Sequence, residues 1–225
     1  MNHYQTTGIV LSRIDYGEAD RILTFLTPDH GKVSALAKGV RKVKSKLAGG
    51  VELFTINDIV IIEGKSDLQT LRSARMKQNF GYISQNYSRL QLGFQMLKML
   101  SRISEPQVES GYFDLLQTAL DSLNDPDIQP AITQLWFSFN FLQLQGRQPN
   151  LSHDTADQEL KADAEYNYIP EESGLELRTG GALKADHIKL ARLCLQYRPG
   201  QVMQVKQAAE LSNDWLRQLR LIDPT

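Results

Sequence analysis

The sequence predicts an α+β chain, a β-rich N-terminal part followed by a helical part. Two observations carry this. Up to residue 80, apolar and polar residues alternate in short runs separated by Gly, Pro and Asp, the pattern of half-buried strands. From Phe80 onward the apolar spacing changes to three and four, the period of helices. With 225 residues and 41% hydrophobic side chains, the chain has enough apolar material for a packed core.

The first strand is TTGIVLSRIDYG, with Ile9 and Leu11 on one face and Val10, Ser12 and Ile14 on the other. DRILTFLT is the second. PDHG turns the chain, because Pro presets φ and Gly permits positive φ. KVSALAK returns as the third, FTINDIVIIEG is the β-branched fourth, and LQTLRSARM alternates as the fifth. Five short strands are too few for a two-sheet sandwich. They suit a small closed barrel, which leaves no exposed sheet edge. The five-stranded oligonucleotide-binding barrel (OB-fold) is the matching architecture. It assigns residues 1–80 to a barrel domain and 81–225 to an all-helical one.

In the helical part, Phe80, Ile83, Tyr87, Leu90, Phe94 and Leu97 mark one apolar face of a helix reaching Ile103. GYFDLLQTALDSL is a second helix, ended by Asp125 and Pro126. Pro130 opens a third, AITQLWFSFNFLQLQG, which is apolar nearly all round and so belongs at the centre of a bundle. Residues 150–181 hold eight acids and few large aliphatics, and read as an irregular acidic insert. ALKADHIKLARLCLQY and AAELSNDWLRQLRLI are helical, with Asp186 and Ser212 as expected N-caps.

Charge is uneven along the chain. Residues 1–80 contain 12 Lys+Arg against 8 Asp+Glu, although the whole chain has a net charge of −1. Five cations fall between the third and fourth strands, at Lys38, Arg41, Lys42, Lys44 and Lys46, with no acid among them. Cations beside a barrel face are how such barrels track a single-stranded backbone. The ordinary reading of a charge run is a solvated loop. Tyr16, Phe25 and Phe54 lie near enough to stack on bases, with core packing the expectation for the two phenylalanines.

Other chemistry is weakly supported. No GxxxxGK[ST] string occurs, so an ATP-driven motor is not expected; HExxH, GxSxG and paired CxxC are also lacking, and no cofactor is called for. Asp15, Glu18 and Asp20 are grouped as a nuclease metal site requires, but they sit in a strand–strand turn where exposed acids are ordinary. His153 with Asp154 and Asp157 reads as a polar loop in preference to a metal site. Cys194, the single cysteine, reads as a small buried apolar residue and excludes an internal disulfide. No apolar run is long enough for a membrane helix and no secretory leader is visible, so a cytoplasmic location is expected.

The string GIVLSRIDYGEADRILTFLTPDHGKVSALAKGVRKVKSKLAGGVELFT, followed by LQTLRSARM, resembles the N-terminal domain of the bacterial DNA-repair RecO family. The matching features are Gly17 to Asp20, Thr27 to Gly31, Ala37 to Gly39 with its basic crossover, and Thr70 to Ala74. The helical remainder fits in order and length, including Leu144 to Pro149. The resemblance implies a non-enzymatic, nucleoid-associated recombination mediator of the RecF pathway. It implies binding to single- and double-stranded DNA, annealing of complementary strands, and work with RecR. It also implies a dock for the C-terminal tail of single-stranded-DNA-binding protein (SSB), and an indirect effect on RecA loading. The DNA-binding residues are then Lys38, Arg41, Lys42, Lys44 and Lys46, with Arg72 and Arg75 near the closing strand. Many members carry a four-cysteine zinc module after the position of Pro149. This chain has no cysteine there, so no metal role is carried over. Two alternatives stand beside this reading, an OB-fold RNA binder and an adaptor whose basic loop docks an acidic protein.

Overall fold

The computed structural model describes residues 2–45, 47, 51–64, 68–103 and 110–219. They form two compact units, 1–120 and 121–225.

The first unit is built on a closed barrel of β1 (His3–Tyr16), β2 (Asp20–Thr27), β3 (Gly31–Ala37), β4 (Thr55–Ile62) and β5 (Gln69–Asn79), in the order β1-β2-β3-β5-β4. This is the OB-type topology expected from the sequence. β1 is long enough to close the ring alone. Its second half pairs with β2 from Ile9 to Tyr16, and its first half pairs with β4 from His3 to Ile9. The changeover needs Gly8, since a Cβ there would lie 3.0 Å from Ile59 and 3.1 Å from Phe25. β3 and β5 meet in parallel at Ala35↔Gln69 and Leu36↔Thr70. Alternate residues fill the interior: Leu23 and Phe25, Val33 and Ala35, Ile59 and Ile61, with Val10 and Leu71.

The alternation expected for β1 does not hold. Ile9, Val10 and Leu11 are all buried, because a bulge between Val10 and Ser12 leaves Leu11 without a partner on β2. The bulge resets the inside–outside phase and places Ile14 outside, 63% exposed.

The predicted helix from Phe80 starts later. Phe80 and Ile83 are buried in a short 3-10 turn, and α1 (Tyr87–Ser101) begins where Asn86 accepts a hydrogen bond from the Arg89 amide. Its buried face is therefore Leu92, Gly93, Met96, Leu97 and Leu100, while Tyr87 and Phe94 are exposed. Lys32 of β3 donates to the carbonyls of Ser101 (3.0 Å) and Ile103 at the C-terminal end of α1. A cation there satisfies orphan carbonyls and opposes the helix dipole. Burial holds its ammonium pKa below the usual lysine value.

α2 (Ser110–Asn124) carries Phe113, Leu116, Leu120 and Leu123 as a buried stripe, as its spacing predicts. In the second unit, α3 (Pro130–Leu144) is central, with Leu135, Phe137 and Phe139 fully buried. It packs against α4 (Ala185–Gln196), the single turn α5 (Pro199–Val202) and α6 (Ala208–Leu219). The expected caps at Asp186 and Ser212 are not used. Lys184 is the N-cap of α4, where the Nδ1 of His187 accepts the Lys184 amide at 3.1 Å. Ser212 lies inside α6 and donates to the Ala208 carbonyl at 2.7 Å.

The stretch 150–181 is not irregular. β6 (Tyr166–Ile169) and β7 (Gly174–Leu177) form an antiparallel hairpin. Tyr166 also exchanges both backbone hydrogen bonds with Leu183, at 2.8 and 2.9 Å. Asp154 closes the preceding loop by accepting from the amides of Ala156 and Gln158, each at 2.9 Å. Tyr166, Tyr168 and Leu175 are buried beneath the acidic surface.

Candidate nucleic-acid interface

The basic segment leaves β3 as a compact turn at one end of the barrel. Gly39 adopts φ +64°, a conformation that favours glycine. Its amide donates to the Asp20 carboxylate at 2.7 Å, and the Arg41 amide donates to the Ala19 carbonyl at 2.9 Å. The segment is thereby pinned to the β1–β2 turn. Bonds from Lys42 to Gly39 and from Ser45 to Lys42 tighten it further. All of these use backbone donors, and the side chains of Lys38, Lys42 and Lys44 are left to the solvent. Val40 turns inward, into the barrel core.

Lys38, Arg41, Lys42 and Lys44 are exposed together on this turn. Lys46 lies outside the described residues. Arg72 and Arg75 are also exposed, on the outer face of β5. Thr70 neighbours Leu36, one residue before the end of β3, and Arg72 lies two residues beyond Thr70 along β5. Arg75 lies five residues along, about 17 Å at the rise of a strand. The register gives Arg72 its outward position, since Ile61 pairs with Leu71 and Val60 with Ser73, leaving Arg72 as the extra residue of a bulge. Among the described residues, Lys38, Lys42, Lys44, Arg72 and Arg75 make no ion pair. Arg41 lies 3.6 Å from Asp15.

Of the three aromatics, Phe25 and Phe54 are core, at 0% and 6% exposure, and Tyr16 is 53% exposed. Sequence periodicity misses a further feature. Ile14, Ile22, Leu36, Thr70 and Ile62 are successive cross-strand neighbours on β1, β2, β3, β5 and β4. They form a largely aliphatic row across the outside of the barrel, one step from the row of Tyr16, Asp20 and Lys38. Correct register assignment across the β1 bulge is the signal that would have revealed it. Val43, in the basic turn, is fully exposed.

Asp15 and Asp20, grouped with Glu18 in the sequence, have other partners. Asp15 accepts from the Arg21 Nε at 2.8 Å, and this hydrogen bond, with Arg41 and Arg13 nearby, holds its pKa below the usual carboxylate value. Asp20 holds the Gly39 amide. Among the described residues no group of three or more His, Cys, Asp or Glu is arranged to hold a metal ion. Cys194 is buried, and desolvation pushes its thiol up to about 12. Elemental analysis of purified protein is expected to show well under one zinc per chain. A stoichiometric zinc that resists chelation would contradict this.

No described helix is long and apolar enough to cross a membrane. A family model described as "Recombination protein O N terminal" matches residues 1–80, and one described as "Recombination protein O C terminal" matches residues 84–208. Curated relatives are named DNA repair protein RecO. The one from Trichodesmium erythraeum is 31% identical over 203 residues, covering 84% of this chain and 68% of the relative. That from Dehalococcoides mccartyi is 33% identical over 172 residues, covering 76% and 67%. That from Moorella thermoacetica is 32% identical over 173 residues, covering 76% and 64%.

Proposed function

The chain belongs to the RecO family, and on that premise we propose that it is a DNA-binding recombination mediator acting in DNA repair. Its barrel binds single- and double-stranded DNA. It anneals complementary strands, works with RecR, and helps RecA load on SSB-coated single strands, with no catalytic step of its own. The observation that carries this reading is the backbone-pinned turn, on which Lys38, Lys42 and Lys44 are exposed and, among the described residues, make no ion pair, with a half-buried aliphatic row on the outer face of the same barrel. Cations of that kind take phosphates, and Tyr16, Val43, Ile14 and Leu36 offer a floor for unstacked bases.

If about four of the cations meet phosphates, log K on single strands falls with log salt at a slope near −3. A titration of the full chain with a labelled oligonucleotide between low and moderate salt measures it. A slope near zero would contradict an electrostatic site. Annealing of complementary strands pre-coated with SSB tests the mediator role directly. No acceleration over SSB alone would remove it. Competition between DNA and RNA oligonucleotides of equal length separates this reading from an RNA binder.

The dock for the SSB tail belongs to the same proposal. An acidic tail with an aromatic ring needs an apolar contact and a nearby cation. In LQLGFQMLKMLSRI, Met96 and Leu97 are buried, whereas Phe94 is 45% exposed and Lys98 is exposed one turn on. A labelled tail peptide is expected to bind the full chain saturably. Its affinity should fall with salt and with removal of the peptide's terminal aromatic residue. No binding would end this assignment.

A further inference from the structure

The cations of the barrel end are not all free. Glu52, just before β4, meets Arg13 of β1, and its other oxygen lies 3.9 Å from Arg21 of β2. Asp15 of β1 meets Arg21 at 2.8 Å and Arg41 of the basic turn at 3.6 Å. The result is one alternating chain, Arg13–Glu52–Arg21–Asp15–Arg41. Side-chain exposure is 54% for Asp15 and 51% for Glu52, against 35%, 23% and 38% for the three arginines. The carboxylates are the more exposed members of this network, and each already occupies a guanidinium group that a phosphate could take. Glu52 and Asp15 are remote in sequence, so no local charge pattern announces this.

We propose that Asp15 and Glu52 are built-in competitors for DNA phosphate: they occupy Arg13, Arg21 and Arg41 and must be displaced, or tolerated at a repulsive distance, when a strand binds. This rests on the DNA-binding reading and adds which residues set its strength. Exposed ion pairs are individually weak, so the carboxylates leave at little cost. Two negative charges beside the phosphate track still lower affinity and slow association. A protein that must hand strands on gains from such moderation, because the free lysines capture DNA while the paired arginines are withheld from clamping it.

The test uses the full chain and a labelled single-stranded oligonucleotide. In Asp15→Asn the side-chain oxygen still accepts from Arg21, so the fold is kept while the charge is removed. This variant is expected to bind about three- to tenfold more tightly at low salt. Its salt slope should steepen by about 0.7 for each arginine released to a phosphate. Asp15→Asn with Glu52→Gln is expected to go further in both measures. Glu171→Gln, an equal change of net charge in the hairpin turn of the second unit, is the control and should change neither. Unchanged or weaker binding in the Asp15 and Glu52 variants, with the wild type binding normally, overturns the inference and leaves the DNA-binding reading standing. An equal gain from Glu171→Gln overturns it too, since the effect is then one of net charge alone. Failure of the wild type to bind DNA overturns both.

Discussion

Changing Arg41, Lys42 and Lys44 together to Glu is expected to weaken oligonucleotide binding by about 100-fold or more at low salt, and to flatten the salt dependence to a slope near −1. Two of about four phosphate contacts, Lys42 and Lys44, are removed, Arg41 can no longer be released from Asp15 to a phosphate, and three negative charges are placed in the track. The fold is expected to persist. The turn is held by Gly39 on the Asp20 carboxylate and by the Arg41, Lys42 and Ser45 amides on backbone carbonyls, none of which involves the substituted side chains. Substitutions at such exposed positions ordinarily change stability by only about 0.5 kcal/mol each. The far-ultraviolet spectrum and melting temperature of the triple variant should therefore match the wild type. Unchanged affinity would remove this turn from the interface. Lost affinity together with a collapsed melt would make the variant uninformative about DNA, and neutral Gln at the same three positions would then decide the matter.

The barrel was legible because each strand carries its own period and each turn its own chemistry: Pro28 and Gly31, then Gly39, punctuate runs that alternate. What periodicity does not show is where a bulge resets the phase. Leu11 looks like the continuation of an alternating strand, and only its pairing with β2 shows that it is an inserted residue. That single residue decides whether Ile14 faces the core or the solvent, and with it whether the outer aliphatic row exists. The first helix failed for a similar reason. Phe80 and Ile83 are apolar and buried, so they extend the helical pattern backwards, but they belong to a 3-10 turn before the Asn86 cap. The extrapolated face is therefore out of register, and Tyr87 and Phe94 emerge on the surface. The basic run was evident as composition. Its availability was not, because Asp15 and Glu52 reach the arginines through tertiary structure that only the closed barrel creates.

The hairpin of the second unit was illegible for a different reason. Its strands have four residues each, and eight acids in the surrounding stretch mask the few apolar residues that matter. The hairpin packs against Trp215 of α6, which is fully buried. Its indole N–H donates to the His187 carbonyl of α4 at 2.8 Å. Its ring meets Phe139 of α3 edge-on at 5.1 Å and Tyr168 of β6 at 5.9 Å. One side chain on α6 thus joins two helices and the hairpin. Trp215→Ala is expected to cost about 3–5 kcal/mol, from lost burial and the cavity left behind. The His187 carbonyl keeps its helical donor but loses the indole hydrogen bond, which adds about 1 kcal/mol. Against a typical domain stability of about 5–15 kcal/mol, this removes a large share of the margin and lowers the melting temperature of the second unit by about 10 °C or more. Thermal or urea melts followed by near-ultraviolet circular dichroism should show the loss. Trp215→Phe should recover most of the packing but not the hydrogen bond, and so fall between the two. A Trp215→Ala protein melting within a degree or two of the wild type would show that the hairpin and helices are held together by something other than this residue.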